Sequence, residues 1–409
     1  MTTAEILRAL APTEKPYAHN EVYEGYTVRT SGRLDLKALD TAYKAVCGAY
    51  PVLAARLETG DSGPVLVASG TLPDVRVCDG EPEYPLTGAE LNQHRALSAL
   101  NVVRDGTDAS VTLATHHSVA DGAYSLEVLA ALWSCYTDAV HGMAVDLPRH
   151  PYPKSLEELL AERGIHRAVP AEAETAQPPA TTTQPASELF EIVPYVAQYR
   201  LTAAQTTALT ELGHREHVTI NELLSGAVLL VEAEVRDLPL TDLLYLFAVN
   251  LRSHLAPRVG DTEGTNVVGS SWFMATGGIE PDAVTIGRAV GAQLRAGLAD
   301  GSVQRSLMDM ADQHAAGAVP HDLGPVVISM TNWGLIPPLR SPDDLVLTNF
   351  HSASRGKIAP GQAALVCSYV ASTFDGRIGI DLGWPEKNSE QSRRLECLHE
   401  HLSRLASQS

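Results

Sequence analysis

The chain has 409 residues, 44% of them apolar and 19% charged, and carries a formal net charge of −19. That balance is globular rather than disordered and leaves room for two domains of ordinary size, each with its own core. The acidity opposes nucleic-acid binding, which rests on Lys and Arg neutralising phosphates, and it disfavours anionic membrane surfaces.

The opening residues, MTTAEILRALAPTEK, lack the basic start, long apolar middle and cleavage site of a secretory leader. The longest apolar runs, such as Leu223 to Val231, are too short to span a bilayer. A cytoplasmic protein without a membrane span is expected. Five cysteines (Cys47, Cys78, Cys135, Cys367, Cys397) are scattered with no CxxC pair. Their number and spacing speak against a disulfide framework or a zinc site, so they are read as small buried hydrophobes and no metal is expected.

From Leu34 to Ala49, apolar residues recur at three-to-four spacing (Leu36, Leu39, Tyr43, Val46, Cys47), which predicts a helix stopped by Pro51. Strands are predicted at Val65 to Ala68, Leu100 to Arg104 and Ser110 to Thr115, the last two joined as a hairpin by Asp105-Gly106. A helix follows over Tyr124 to Val140, with Leu126, Leu129, Trp133, Tyr136 and Val140 on one face. A basic cluster (Arg149, His150, Lys154, Arg163, His166, Arg167), interleaved with Glu157, Glu158 and Glu162, is either a docking patch for an acidic carrier protein or a solvated mixed-charge surface. Residues 168–187, AVPAEAETAQPPATTTQPAS, cannot bury enough apolar area to offset their ordering entropy. They are read as a linker between an N-terminal subdomain (1–167) and a C-terminal one (188–409). Beyond it, helices are predicted over Ala203 to His214 and Ile220 to Val235, and buried strands over Leu243 to Val249 and Val326 to Thr331. Ala364 to Thr373 and Arg377 to Trp384 form a second hairpin around Asp375-Gly376, and Glu390 to Ala406 is a last amphipathic helix. Strands and helices in mixed order over both halves predict an α/β (α+β) sandwich with mixed sheets, not a barrel or a parallel Rossmann sheet.

The chemistry concentrates in His116-His117-Ser118-Val119-Ala120-Asp121-Gly122, between a predicted strand and a predicted helix. His117 is the candidate general base: neutral imidazole suits that task near pH 7, and the positive end of the following helix disfavours imidazolium. A buried structural histidine is the alternative. His116, one residue earlier, points to the opposite face and is expected to be hydrogen-bonded in the core. Asp121 sits where a helix N-cap belongs, and a cap or an ion pair with an arginine is favoured over general-acid work. Gly122 permits close backbone approach, and its amide is a candidate oxyanion donor.

In the second half, Arg252 follows a buried strand and is the candidate partner of Asp121. Asn332 and Trp333 end another apolar strand and are candidate channel-lining residues, with strand-end turn positions as the alternative reading. Asn266, in GTNVVGSSW, is a candidate channel residue or a loop cap. Phosphate-loop motifs are missing, and His399-Glu400-His401 lacks the spacing of a helical zinc site.

HHxxxDG is the signature of acyltransferases with the chloramphenicol acetyltransferase-like fold, a superfamily that includes condensation domains of nonribosomal peptide synthetases. The chain resembles its polyketide-associated branch, the phthiocerol/phthiodiolone dimycocerosyl transferase type. GRLDLKALDTAYKAVCGAYPVLAARLE, SCYTDAV, SLEELLAERGI, VNLRSHLAP and TNVVGS carry the resemblance, which covers most of residues 1 to about 310. Asn250-Leu251-Arg252 stands where the family usually has Asp-Leu-Arg. Asp381-Leu382-Gly383-Trp384 is only superficially similar to the DFGW element of plant BAHD acyltransferases and is read as accidental.

The resemblance implies two chloramphenicol acetyltransferase-like subdomains with a channel between them, His117 at its centre, and Asp121 held by an arginine. It implies transfer of an acyl group from a carrier-protein phosphopantetheine or coenzyme A thioester to an alcohol, with no covalent enzyme intermediate and no resident cofactor. An amine acceptor, a module that only binds partners, and a repurposed proton transfer are the alternatives. A monomer is expected, because such a chain encloses its own site.

Overall fold

The computed structural model describes residues 5–61, 63–167, 189–315, 326–358, 366–384 and 387–408. The segment 168–187, read as a linker, lies outside them, as do the first two residues of the strand expected from Ala364. In chain order the first part forms β1 (Ile6–Ala9), α1 (Lys15–His19), β2 (Tyr23–Gly32), α2 (Leu36–Ala49), β3 (Arg56–Gly60) and β4 (Gly63–Val67). It continues with β5 (Arg76–Asp79), β6 (Ser98–Asp105), β7 (Asp108–His116), α3 (Gly122–Val140) and α4 (Leu156–Ala161). From residue 189 onward come β8 (Phe190–Ile192), β9 (Tyr195–Arg200), α5 (Ala203–Glu216), α6 (Ile220–Arg236), β10 (Leu243–Asn250), β11 (Val268–Phe273), α7 (Ala283–Ala299) and α8 (Ser302–Ala315). The chain closes with β12 (Val326–Leu335), β13 (Leu345–Ile358), β14 (Val366–Phe374), β15 (Arg377–Trp384) and α9 (Ser389–Ala406).

The helices start where side chains can satisfy free first-turn amides. Asp35 caps α2 through the amides of Lys37 and Ala38. Ser155 with Glu158, Thr202 with Gln205 and Thr219 with Glu222 form reciprocal capping boxes at α4, α5 and α6. The apolar stripe of α2 (Leu39, Tyr43, Val46, Cys47) and that of α3 (Leu126, Leu129, Trp133, Tyr136) are buried in one core. A second core gathers α5, α6, α7 and α9 against another sheet. Both expected hairpins are present. Gly106, Asp375 and Gly376 take positive φ, and the Asp-Gly pair at 375–376 has the left-handed values that a tight two-residue turn requires.

Two six-stranded mixed sheets make the fold, in the orders β5-β6-β7-β2-β13-β8 and β11-β10-β12-β14-β15-β9, beside a small sheet β1-β4-β3. The first contains strands from both ends of the chain. β13 pairs antiparallel with β2 from Leu345 opposite Gly32 to Arg355 opposite Tyr23, and β8 pairs with the far end of β13. A division of the chain at 168–187 therefore counts β8 and β13 with the half whose sheet they do not join. β13 was not anticipated, because Phe350, His351, Ser352 and Ala353 are all buried in succession and period-2 alternation disappears. β12 extends past the expected Thr331 to Leu335, since Asn332 and Leu335 still pair with Ala371 and Thr373 of β14 across an irregularity.

The two sheets are tied together in two places. Asp381 of β15 accepts the Ser352 amide of β13 at 2.6 Å and the Gln198 side chain of β9 at 2.8 Å. Burial pushes the Asp381 carboxyl up to about 6. The Asp381-Leu382-Gly383-Trp384 motif thus serves as a sheet-to-sheet tie. The second tie runs through the histidine motif. Among the described residues, no helix is long and apolar enough to cross a membrane.

In the second core, α6 and α7 cross with backbone nearly in contact at glycines. A Cβ on Gly226 would overlap the carbonyl oxygen of Ala283, and one on Gly287 would overlap that of Glu222. Gly226→Ala should therefore lower stability by about 1–3 kcal/mol through overpacking, read as a lowered urea midpoint. An unchanged midpoint would show that the two helices separate without cost.

Candidate active site

β7 ends at His116, and the turn 117–121 leads into α3, whose N-cap is Asp121. The motif therefore sits where a central strand of the first sheet hands over to the helix that covers it. From the second half, the segment after β10 and the run 265–267 come down onto this turn. The Asp121 amide donates to the Thr265 carbonyl at 2.9 Å, and the Val267 amide donates to Asp121 Oδ2 at 2.8 Å.

Asp121 and Arg252 form the central contact. The guanidinium donates from Nη1 to Oδ2 at 2.7 Å and from Nη2 to Oδ1 at 3.0 Å, with side chains only 2% and 3% exposed. Oδ1 also accepts the Tyr124 amide at 3.0 Å. The cap and the ion pair, weighed as alternatives on sequence, coexist in one carboxylate. With four donors on its two oxygens, Asp121 has no lone pair left for proton transfer. The departure at Asn250 leaves this arrangement intact: its Oδ1 accepts the Arg252 amide at 3.1 Å, and Asp121 supplies the negative charge.

His117 donates its backbone N–H to the Val22 carbonyl at 2.8 Å, and its ring stacks on Tyr17, centroids 4.2 Å apart and 12° from parallel. Asn266 fixes the ring's protonation. The Asn266 Nδ2 donates to the His117 carbonyl at 2.7 Å, and the Asn266 Oδ1 lies 3.1 Å from His117 Nδ1. A carbonyl can only accept, so the amide nitrogen must face it and the amide oxygen must face the ring. Nδ1 therefore carries the proton, and Nε2 is left with a free lone pair. Burial holds the imidazole below its usual range.

His116 turns to the other side, edge-on to Tyr23 with centroids 4.8 Å apart. Its Nδ1 bonds the Ser118 hydroxyl at 2.7 Å, whereas Nε2 is buried without a partner among the described residues, so its hydrogen bonding is only half what was expected. Burial pushes this ring down to about 3.

A cavity of about 350 Å³ opens beside His117, with Asp121, Gly122 and Ala123 on its wall. Leu246, Phe247, Val268, Leu307, Met310 and Met330 form its apolar side. Asn332 and Trp333 line it from within β12, and the reading of them as strand-end turn residues is corrected. Trp333 also explains Gly122: a Cβ there would stand 2.9 Å from the indole Cδ1. Asn266, expected as a channel residue or a loop cap, is fully buried off the cavity wall and bonds the carbonyl of the histidine turn, supporting the ring from behind. Sequence reasoning missed Tyr17, Tyr26 and Glu24, which also line the cavity. Glu24 left a trace, being a charge in phase with Val22, Tyr26 and Val28 on one face of β2; Tyr17, in a five-residue helix, left none. The basic cluster is largely engaged: Lys154 pairs with Glu162 at 2.6 Å, Arg163 holds the Pro257 carbonyl at 2.8 Å, and His150 stacks on Tyr50. Cys47, Cys78, Cys135 and Cys397 are free thiols outside the cavity wall.

The mixed α/β fold with its two six-stranded sheets is that of condensation-domain and acetyltransferase structures. The first condensation domain of the CDA synthetase superposes with a TM-score of 0.67 over 99% of this chain and 97% of that one, at 15% identity. Polyketide synthase associated protein 5 from Mycobacterium tuberculosis superposes at 0.81, with 28% identity and coverage of 99% and 100%. The family profile described as phthiocerol/phthiodiolone dimycocerosyl transferase C-terminus matches residues 191–383. A phthiocerol/phthiodiolone dimycocerosyl transferase of Mycobacterium sp. (strain JLS) is 35% identical over 373 residues, 87% of this chain and 89% of that one. The chain belongs to the phthiocerol/phthiodiolone dimycocerosyl transferase family of acyltransferases.

Breaking the central pair should unfold more than the site. Arg252→Met leaves a buried carboxylate without its counter-ion and should cost about 3–5 kcal/mol, measured by denaturant unfolding. A loss below about 1 kcal/mol would mean that solvent reaches Asp121 and the pair is not a structural tie.

Proposed function

We propose that the protein transfers an acyl group from a thioester, on a carrier protein's phosphopantetheine or on coenzyme A, to a hydroxyl acceptor, with His117 as general base. The observation that carries this reading is the Asn266–His117 pair. It supplies a neutral ring whose unprotonated Nε2 is the available proton acceptor on the wall of a cavity.

His117 Nε2 takes the hydroxyl proton as the acceptor oxygen attacks the thioester carbonyl. The amides of Gly122 and Ala123 belong to the first turn of α3, where no intrahelical acceptor exists, and both residues line the cavity. They are the candidate donors to the oxyanion. Collapse of the tetrahedral intermediate expels the sulfur, and the imidazolium returns its proton to the thiolate. No enzyme nucleophile is required: Cys47, in the first core, is buried and pushed up to about 12. The apolar side of the cavity suits an alkyl chain, in keeping with relatives named for dimycocerosyl transfer. Asp121, Arg252 and Gly122 act by holding the turn, and Asn332 and Trp333 by shaping the wall. The small-molecule alcohol and the thioester are the partners on this reading, with a cytoplasmic monomer as the working form.

Thiol release from acyl-coenzyme A and acyl-carrier thioesters, with an alcohol present, should be acceptor-dependent and fall about 10²–10⁴-fold in a folded His117→Ala variant. Because burial lowers the His117 pKa, the acid limb of the wild-type rate should lie below pH 6.5. Undiminished release by His117→Ala would remove the general-base reading. Asn266→Leu should keep the fold yet slow the same reaction, by freeing Nδ1 and Nε2 to exchange the proton. A rate equal to wild type would show that the tautomer is fixed elsewhere.

A further inference from the structure

Glu24 faces the cavity of His117 and has no part in the steps above. It lies on a central strand of the first sheet, with Thr115 of β7 opposite it on one side and Ser354 of β13 on the other. Opposed residues share a face of the sheet, so the side chains flanking its carboxyl are two hydroxyls and no cation. The Thr115 hydroxyl is engaged with Ser125 at 2.8 Å. Cations further along β13 are held elsewhere, Arg355 by Glu191 and the Leu91 carbonyl, Lys357 by Glu21. Among the described residues, neither a hydrogen bond nor an ion pair reaches the Glu24 carboxyl.

A carboxyl so placed keeps its proton. Burial pushes Glu24 up to about 8, whereas it holds His117 below its usual range. Near pH 7 one cavity therefore presents a protonated acid and an unprotonated base. Titratable groups whose surroundings drive their protonation apart divide the roles of acid and base between them. The transfer has work for both. The acceptor hydroxyl must lose a proton, and the sulfur, departing as thiolate beside an apolar wall, must gain one or remain an uncompensated anion. A thiol of the cysteine type titrates at about 8.5, close to Glu24, so a proton moves between them with little uphill cost.

We propose that Glu24 is a second catalytic residue, the general acid that protonates the leaving sulfur while His117 takes the acceptor's proton. This rests on the acyl-transfer reading above and takes over its last step. As the tetrahedral intermediate collapses, the C–S bond breaks with its electron pair on sulfur, and the Glu24 O–H proton passes to that sulfur. Ester and thiol are released, leaving a Glu24 carboxylate and a His117 imidazolium. The imidazolium proton then neutralises the carboxylate across the shared cavity, and both groups return to their starting forms.

Titratable and charged groups on the walls that Glu24 lines are Tyr17 of α1, Tyr26 of β2, His117 after β7, and Arg355 and Lys357 of β13, with Asp121 and Arg252 already paired. Burial pushes Tyr17 up to about 12 and raises Tyr26 as well, and the Glu24 charge adds to both. Glu24 is thus the group among them that titrates near pH 8.

The test varies the leaving group on one acyl donor: thioesters of ethanethiol, of N-acetylcysteamine and of the more acidic thiophenol, each with an alcohol acceptor. Gln keeps the size of Glu24 and a hydrogen-bond donor but has no proton to give. Glu24→Gln should lose about 10²-fold in kcat/KM with the ethanethiol thioester and far less with the thiophenol thioester, whose anion leaves unaided. A loss of one size on all donors would mark a structural role, and no loss on any would remove the acid; either overturns the proposal. The coenzyme A thioester gives a second reading that does not need the simple thioesters to be turned over. The wild-type rate should fall above about pH 8, as the acid form is lost, and that limb should be absent in Glu24→Gln. A wild-type rate that stays level above pH 8 overturns the proposal too. Full acceptor-dependent release by Glu24→Gln would leave acyl transfer standing without this acid. No release by wild type from any donor would remove the transfer reading itself, and the acid with it.

Discussion

The Asp121–Arg252 pair is the constraint on which the site depends. A buried carboxylate is tolerable only when its lone pairs are filled and its charge is matched, and here two guanidinium N–H groups and two backbone amides do both. The donors come from different places: Tyr124 from the helix that follows the motif, Arg252 and Val267 from the other half of the chain. One side chain thus fixes the start of α3, the position of the second half against it, and the turn that holds His117 between them. Asn250 adds no charge to this balance: its side-chain oxygen accepts the Arg252 backbone amide beside the pair.

The histidine itself is held by groups that control its protonation rather than its charge. Asn266 accepts from Nδ1 and bonds the His117 carbonyl, so a single amide sets both ring orientation and tautomer. Tyr17 stacks on the ring and removes water from one face. Burial and the α3 N-terminus both disfavour imidazolium, which favours the neutral ring. The adjacent His116 is driven further down by the same physics, but it faces Tyr23 and the core. Two neighbouring histidines thereby have different surroundings because a strand sends successive side chains to opposite sides.

The sheets explain why the cavity lies where it does. β13 completes the first sheet beside β2, while β12 and β14, its neighbours in sequence, belong to the second. Asp381 then bonds across from β15 to β13, so the two sheets are held at a point remote from the Asp121–Arg252 pair. With both ties in place, β2, β10, β12 and the turn that follows β7 converge on one space, and residues from all of them line it.

Much of this was present in the sequence as local pattern. Helical periodicity marked α2, α3, α5, α6 and α9, and Asp-Gly turns marked both hairpins, because those signals depend on residues only a few positions apart. The motif singled out His117 and Asp121 for the same reason, and its place just beyond an apolar strand made Arg252 the candidate partner of Asp121. What local pattern does not contain is partnership over long separations. It did not reveal that Asn266, 149 positions away, holds the His117 ring, that Trp333 is the reason for Gly122, or that β13 leaves its neighbours for the other sheet. A loop asparagine, a strand-end tryptophan and an unalternating strand look ordinary along the chain. Their roles are decided by which surfaces the folded backbone brings within hydrogen-bonding or van der Waals distance, and only the tertiary structure sets those distances.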